Sequence, residues 1–410
     1  MAAHTLMHRN AATTWSFTRR RTLDACARQF FWQYLGSRGG AYAPEGSPAR
    51  LAWTLRQTTS LPLLIGTVVH NAARQLIVAT RDGAPLPTLD ELLDGARATL
   101  NHVWVTSERL LDRFWRLPAV YPAFREVVNR GSLAEYEIER ARRRLARTMA
   151  NLYAAPVFAD LARCGPREVT LTEAIADEFL LTAASEPDER LSRDEAANDV
   201  RVLVALDLAY VHHDPETAGG PIARPTWTVA DFKTGARGQA GARDDVRERL
   251  QVADERLQLA GYALGLRARG VPMQDGAYLG RVIHLDDGTQ TFHRLTERDL
   301  AWAMETIDGD ARRLRVLEAQ GSARGITTDA IRAAFSMAER PYRACPKCAF
   351  LSICSAELGR RPWQRPRVPD ERDTRSETLL PGLPTPRAAE PIRPEAVRAT
   401  TTDTPGDLAL

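Results

Sequence analysis

Two β-like runs, Val200–Val211 and Thr226–Lys233, constrain the fold of this chain more than any other segment. Both are rich in β-branched and apolar residues, and the connection between them is rich in Gly, Pro and His, which predicts a β-hairpin. Asp207 lies inside the first run, and Asp231 and Lys233 end the second. Residues two positions apart on a strand point to the same face of a sheet, so we expect Asp231 and Lys233 to project together.

These three polar side chains predict a metal site on the hairpin. Carboxylates from neighbouring strands supply oxygen ligands, which Mg²⁺ and Mn²⁺ prefer. A divalent cation held in this way lowers the pKa of a bound water and stabilises charge on a phosphate during transfer. The residues therefore indicate hydrolytic chemistry on a phosphate-containing substrate.

The lysine is informative because lysine is rare in this chain. Of the 55 lysine and arginine residues, only Lys233 and Lys347 are lysines. Lysine offers a compact charge and a pKa that shifts readily on burial, neither of which arginine provides. Its retention beside two carboxylates favours a catalytic role over the alternative, an ordinary lysine at a strand end.

Composition excludes several classes of protein. A length of 410 residues allows two or three domains. A formal net charge of only +3 does not point to any particular class of partner. Local basic clusters must therefore account for any nucleic-acid binding. No apolar run has transmembrane length and no signal-peptide core is visible, so we expect a cytoplasmic protein without a membrane partner. Neither lysine lies in a GxxxxGK[ST] segment, which excludes a Walker A loop.

The five cysteines are unevenly placed. Cys345, Cys348 and Cys354 form a C-x2-C-x5-C cluster, whereas Cys26 lies far upstream. In a cytosolic protein such a cluster favours metal ligation over disulfides. Four thiolates would hold either zinc or an iron–sulfur cluster. The isolated Cys164 is most simply a small buried residue.

Helices are predicted before the hairpin. The segment Ser16–Gly36 carries an apolar stripe, with its first residue as N-cap and its last as the end of the helix. The segment Leu61–Gly83 predicts a second helix, on which Gly66 and His70 share one face. Residues 88–162 predict a helical block. It includes an arginine-rich helix that either follows a phosphate backbone or forms a solvated face.

The hairpin is flanked by further regular structure. A strand pattern that includes Glu173 precedes it. A helix follows it, on which Gln258 and Tyr262 are four residues apart and project together. The segment Gln274–Leu285 then predicts a strand, and Thr296–Gln320 predicts a helix.

The two ends of the chain carry little pattern. Residues 1–15 are expected to form a flexible N-terminus. Residues 358–410 are rich in proline and poor in large apolar residues. Such a segment buries too little apolar surface to offset the entropy of ordering, which predicts a disordered tail.

Taken together, these motifs resemble the RecB-type branch of the PD-(D/E)xK nuclease superfamily over roughly residues 16 to 357. Its iron–sulfur members, the AddB nuclease domain and the CRISPR-associated adaptation nucleases, are the most similar. The matching segments appear in the family's order: LIGTVVH with His70, VALDLAYV with Asp207, VADFKTG with Asp231 and Lys233, LQLAGYALGL with Gln258 and Tyr262, and Cys26 with the C-x2-C-x5-C cluster.

The resemblance implies roles for these residues. His70, Asp207 and Asp231 would bind Mg²⁺ or Mn²⁺, and Lys233 would be the catalytic lysine. Glu173 falls where the family often has a strand glutamate, and Gln258 and Tyr262 would position the DNA or the lysine. The four remaining residues would hold a 4Fe–4S cluster: Cys26, Cys345, Cys348 and Cys354.

The resemblance also implies a fold and a function. The expected fold is α/β, a restriction-endonuclease-like core with a central mixed sheet flanked by helices. Residues 88–162 would be a helical insertion and the cysteine cluster an iron–sulfur staple. The expected function is a metal-dependent DNA nuclease, in the form of an exonuclease on single-stranded or unwound ends, with a helicase or defence-system partner. Two alternatives are a catalytically silent DNA-end-binding or scaffold subunit and a zinc-stapled interaction protein.

Overall fold

The computed structural model describes residues 13–170, 177–181, 200–213, 225–235, 245–322 and 327–359, with the backbone alone for residues 177–181 and 245–248. Two sheets lie within these ranges. The five-stranded sheet has the order β2-β5-β6-β7-β8, and the three-stranded sheet has the order β1-β4-β3. The strands are β1 (Thr13–Trp15), β2 (Val169–Thr170), β3 (Asp177–Leu181), β4 (Val200–Val204), β5 (Leu208–His212), β6 (Thr226–Lys233), β7 (Ala277–His284) and β8 (Thr289–Thr296).

Helices surround the sheets. Those of the described residues are α1 (Phe17–Ala25), α2 (Ala27–Phe31), α3 (Pro48–Arg56), α4 (Leu61–Asp82), α5 (Leu89–Arg109), α6 (Leu111–Arg116), α7 (Arg125–Arg130), α8 (Glu135–Tyr153), α9 (Val157–Leu161), α10 (Asp245–Ala268), α11 (Glu297–Gly321), α12 (Thr328–Ala334), α13 (Pro341–Ala344) and α14 (Leu351–Leu358). The helices α5 to α9 confirm the helical pattern of residues 88–162. That this block is an insertion stays a prediction.

The five-stranded sheet is mixed, as expected. Strands β6 and β7 pair in parallel, and the other neighbours in this sheet pair antiparallel. A parallel pair needs a crossover connection, and α10 lies in the chain between β6 and β7. The crossover brings α10 against β6 and β7, which places its side chains over the end of β6.

Each face of this sheet is buried in its own hydrophobic cluster. Val229 of β6 packs with residues of α10 and α11, such as Leu257 and Ile307. Phe232 packs on the other face with residues of α4 and α8, such as Val69. Because side chains alternate along a strand, Asp231 lies on the face covered by α10.

The run Val200–Val211, expected to be one strand, is two. β4 pairs with β1 and β3 in the smaller sheet, whereas β5 pairs with β2 and β6 in the larger one. The chain leaves strand geometry at residues 205–207. The break allows one apolar run to contribute to two sheets, and it places Asp207 at the start of β5.

The N-terminal part differs from the expectation in two places. Residues 13–15 belong to the stretch expected to be flexible, yet they form β1, and Trp15 donates a hydrogen bond to Asp310 at 2.9 Å. The helix expected over residues 16–36 is interrupted at Cys26, whose backbone is extended (φ −167°, ψ 108°). Ser16 does cap α1, and residues 32–36 form a π-helical turn.

α4 has the length and composition of a membrane span, and it is the one such helix among the described residues. No run of this length is expected from the sequence. Residues on one stripe of α4, including Ile65 and Val69, are buried in the protein core. Packing within the protein therefore accounts for this apolar stripe.

Two earlier expectations fall on residues outside this description. Glu173 lies in the undescribed stretch 171–176, and the tail from residue 360 onward is also undescribed. The domain limits 16–357 and 358–410 stay predictions.

Candidate active site

The pairing of β5 with β6 brings the two aspartates together. Leu208 lies opposite Ala230 in this antiparallel pair. Asp207, one residue before β5, is therefore beside Asp231. Asp207 Oδ2 accepts a hydrogen bond from the backbone N–H of Phe232 at 3.0 Å, which fixes its carboxylate against β6.

Helix α4 adds His70 to this pair. Its Nδ1 lies 3.0 Å from Asp207 Oδ1, and its ring meets the Phe232 ring edge-on. The helix approaches the end of β6 closely at Gly66. A Cβ on this residue would lie 3.4 Å from Thr234 Oγ1. Burial alone would lower the pKa of His70, but the hydrogen bond and charge of Asp207 outweigh it, so this pKa is raised.

Helix α10 covers Asp231 with polar side chains. Lys233 Nζ lies 2.6 Å from Asp231 Oδ2 and donates a hydrogen bond to Gln258 Oε1 at 2.6 Å. Gln258 Nε2 donates to Asp231 Oδ1 at 2.9 Å, and Tyr262 O–H donates to the same oxygen at 3.2 Å. The i, i+4 spacing on α10 is what allows both side chains to reach one carboxylate.

The electrostatics of Asp231 favour a bound cation. Its side chain is buried, and burial raises its pKa although the charge of Lys233 acts in the opposite direction. Asp231 Oδ2 is buried, and the Lys233 ammonium lies 2.6 Å from it as a charged partner. Burial also raises the pKa of Tyr262 well above its ordinary value, so the phenol stays a neutral donor.

The donor types of this site suit a hard or borderline divalent cation, although one ligand atom from each of the three residues does not lie within 4.8 Å of the others. Asp207, Asp231 and His70 supply two carboxylates and an imidazole at one end of the sheet. Oxygen ligands suit Mg²⁺ or Mn²⁺, and imidazole favours a transition metal. The Asp231 carboxylate is buried beside Asp207 with Lys233 as its cationic partner, so a divalent ion there would offset the remaining negative charge.

A comparison with models of protein families identifies the superfamily of this chain. The model of the PD-(D/E)XK nuclease superfamily matches residues 14–355. The chain belongs to this superfamily. A search of curated proteins finds no match to it. Nucleases of this superfamily use divalent metals, and the mixed sheet flanked by helices confirms the expected fold class.

This nuclease has a supporting residue that the sequence did not reveal. Arg144 of α8 donates to the backbone carbonyl of Thr234 at 3.1 Å from Nε and at 2.8 Å from Nη2. Its neighbour Arg147 pairs with Asp286 in the loop after β7. At least part of the arginine-rich helix therefore holds the end of β6, a contact that no local pattern reports.

Four of the five cysteines line one small cavity of about 20 Å³: Cys26, Cys345, Cys348 and Cys354. Cys26 reaches it because the chain breaks between α1 and α2, where its sulfur accepts a hydrogen bond from the N–H of Gln29 at 3.4 Å. Burial raises the pKa of Cys348 to about 12 and raises the pKa of Cys345 and Cys354.

The sulfur atoms are not gathered into a ligand set. Among the described residues, no three cysteine sulfurs lie within 4.8 Å of one another. Tetrahedral zinc–thiolate ligands would be about 3.8 Å apart. The structure therefore shows that the four cysteines share a cavity, without the sulfur geometry of a bound metal.

A basic groove of about 1090 Å³ lies between α10, β8 and α11. Its charged and aromatic lining includes Arg249, Arg256, Arg294, Arg298 and Trp302. Arg256 is engaged with Asp299 at 2.7 Å. Sequence reasoning missed this surface because its arginines come from three separate elements.

The groove and the candidate active site use different faces of α10. Arg249, Val252 and Arg256 follow the spacing of one helical face. Gln258 and Tyr262 lie about half a turn away, on the face that contacts Asp231.

Proposed function

We propose that this protein is a divalent-metal-dependent deoxyribonuclease that acts as an exonuclease on single-stranded or unwound DNA ends. The observation that supports this best is the meeting of His70, Asp207, Asp231 and Lys233 at one end of β5 and β6. These residues come from three separate segments of the chain, since Asp231 and Lys233 belong to one Asp-x-Lys segment. An accidental Asp-x-Lys segment would not be expected to gather a histidine and a second aspartate.

The proposed mechanism assigns a task to each residue. His70, Asp207 and Asp231 would hold the ion, which supplies an acidified water and neutralises phosphate charge when bound. The Lys233 ammonium orients the attacking water and offsets charge on the scissile phosphate. Water oxygen bonds to phosphorus in line as the bond to the leaving sugar oxygen breaks, and that oxygen takes up a proton.

Gln258 and Tyr262 are positioning residues in this scheme. Both donate to Asp231 Oδ1, and the Gln258 amide oxygen accepts from Lys233. They hold the carboxylate and the ammonium at a fixed separation before DNA arrives. Such preorganisation lowers the reorganisation cost of the reaction.

We assign the chain to the RecB-type, iron–sulfur branch, with the 4Fe–4S cluster at the four cysteines. The order of the motifs and the shared cavity of Cys26 with the C-x2-C-x5-C cluster support this assignment. The chain has no Walker A lysine. A helicase or defence-system partner in the cytoplasm would then supply unwound DNA, and the basic groove offers arginine and tryptophan for contact with a single strand.

Cleavage of end-labelled DNA tests the proposed function. We expect anaerobically purified protein to degrade single-stranded or duplex DNA with Mn²⁺ or Mg²⁺. The isosteric variant Asp231→Asn should lose at least about a hundred-fold in rate, because one carboxylate of the metal site is removed. The exposed Asp112→Asn is the matched control and should cut normally.

Thermal melting separates the nuclease from the silent scaffold. Mn²⁺ should raise the melting temperature of the wild type and of Asp112→Asn, but not that of Asp231→Asn, since an ion that binds only the folded state stabilises it. A wild type that binds Mn²⁺ yet cuts neither form of DNA would favour the scaffold alternative. Equal cutting by Asp231→Asn would point to a contaminating nuclease.

The cysteine assignment predicts an effect on iron and stability. Cys348→Ala should lose iron and lower the melting temperature by roughly 5 °C or more, because metal-binding energy contributes to folding energy. Iron analysis and a melting curve measure both. Cys164→Ser removes a thiol outside the cavity and should retain iron. Zinc without iron in the wild type would contradict the iron–sulfur assignment.

A further inference from the structure

Three potential metal ligands meet away from the candidate active site. One atom each from Cys164, Glu168 and His213 (the sulfur, a carboxylate oxygen and a ring nitrogen) lie within 4.8 Å of one another. His213 Nε2 is 3.2 Å from Glu168 Oε2. Neither the resemblance to nucleases nor the proposed mechanism uses any of these residues.

Strand pairing explains how the three residues come together. β2 pairs antiparallel with β5, with Val169 opposite Tyr210. Extending this register places the turn before β2, which holds Glu168, beside the end of β5, which His213 follows. Cys164 comes just after α9, at the start of the same turn.

Backbone contacts hold two of the three side chains in place. Glu168 Oε2 accepts a hydrogen bond from the N–H of Gly165 at 2.7 Å. The Cys164 thiol donates to the carbonyl of Val211, 3.1 Å from its sulfur, and also lies 3.4 Å from the carbonyl of Asp160. The positions of these side chains are therefore set before any ion arrives.

We propose that Cys164, Glu168 and His213 form a binding site for Zn²⁺, separate from the catalytic metal site. A thiolate and an imidazole select zinc over Mg²⁺, and a carboxylate completes a set that is common for this ion. Three protein ligands leave a fourth position for water. The side chain of His213 is 32% exposed, so an ion has access from solvent.

The local charges suit a cation. Burial raises the pKa of the Cys164 thiol to about 11, and the negative charges of Glu168 and Asp160 act in the same direction. A divalent ion would replace the thiol proton and offset this accumulated negative charge. The hydrogen bond from Gly165 lowers the pKa of Glu168, so its carboxylate is already ionised.

The site would act as a clamp on β5, the strand that follows Asp207 and pairs with β6. It joins the turn before β2 to the end of β5. Zinc bound there stabilises the folded state by mass action. The inference does not depend on nuclease activity.

Zinc counting tests the proposal. Four proteins are dialysed against Zn²⁺ in excess Mg²⁺, and bound zinc and iron are then counted per chain: the wild type, Cys164→Ser, His213→Gln and the control His102→Gln, which removes an exposed imidazole elsewhere. We expect the wild type and the control to bind one more zinc ion per chain than Cys164→Ser and His213→Gln. The four cavity cysteines are unchanged in all four proteins, so their contribution cancels.

Each outcome either supports or overturns the proposed zinc site. A one-zinc difference with equal iron supports the site, as does a Co²⁺–thiolate absorption band that is weaker in Cys164→Ser than in the control. Equal zinc in all four proteins overturns the proposal, and so does the same loss in His102→Gln. If Cys164→Ser folds poorly, the exposed His213→Gln provides the test alone.

Discussion

Replacing Lys233 with alanine should lower the DNA cleavage rate by about a hundred- to ten-thousand-fold. The ammonium lies 2.6 Å from Asp231 and 2.6 Å from Gln258, where it is held for the attacking water and the phosphate. Single-turnover cleavage with saturating Mn²⁺ isolates the chemical step. Mn²⁺ should still raise the melting temperature of the variant, because the metal ligands remain.

Two further variants sharpen this prediction. Lys233→Arg should not restore the rate, since the planar guanidinium cannot take the place of a compact ammonium between two partners. Lys347→Ala removes the other lysine, whose side chain is exposed, and should cut at the wild-type rate. A metal-replete Lys233→Ala protein that cuts as fast as the wild type would remove the catalytic assignment of Lys233.

Arg281→Met should destabilise the fold by about 3–5 kcal/mol, because it removes the buried cation that pairs with Asp160 Oδ2 and leaves the half-exposed Arg163 as the remaining arginine partner of that carboxylate. Arg281 lies in β7 and is 1% exposed. Its Nη1 donates to Asp160 Oδ2 at 2.5 Å, and the same nitrogen contacts the Tyr210 hydroxyl. Its Nε donates to Gln290 at 2.6 Å, so a single side chain links α9 with three strands.

Urea unfolding measures this loss as a lower midpoint at unchanged slope. Arg312→Met is the matched control: it breaks a pair with Asp308 in which the arginine side chain is 73% exposed. An exposed pair of this kind contributes less than about 1 kcal/mol. Equal midpoints for the two variants would show that the Arg281 network adds little to stability.

Local sequence patterns predicted several secondary-structure elements and part of the candidate active site. The β-branched and apolar residues of one run predicted β6 with the bounds that the structure has, Thr226–Lys233. Helical spacing predicted that Gln258 and Tyr262 project together, and both contact Asp231. The helix expected over Leu61–Gly83 is α4, which spans Leu61–Asp82 and has Gly83 as its C-cap. These features depend on residues within a few positions of one another, so a single sequence contains them.

Tertiary structure decided the rest. The break at residues 205–207 arises because β4 and β5 pair with different partners, and a run of apolar residues does not reveal its partners. The break at Cys26 likewise brings its sulfur into a cavity shared with cysteines from the other end of the described chain. The contacts of Arg144 with Thr234 and of Arg281 with Asp160 join residues 90 and 121 positions apart. Such contacts form only when distant segments are packed together, because burial and charge pairing act through space and not along the chain.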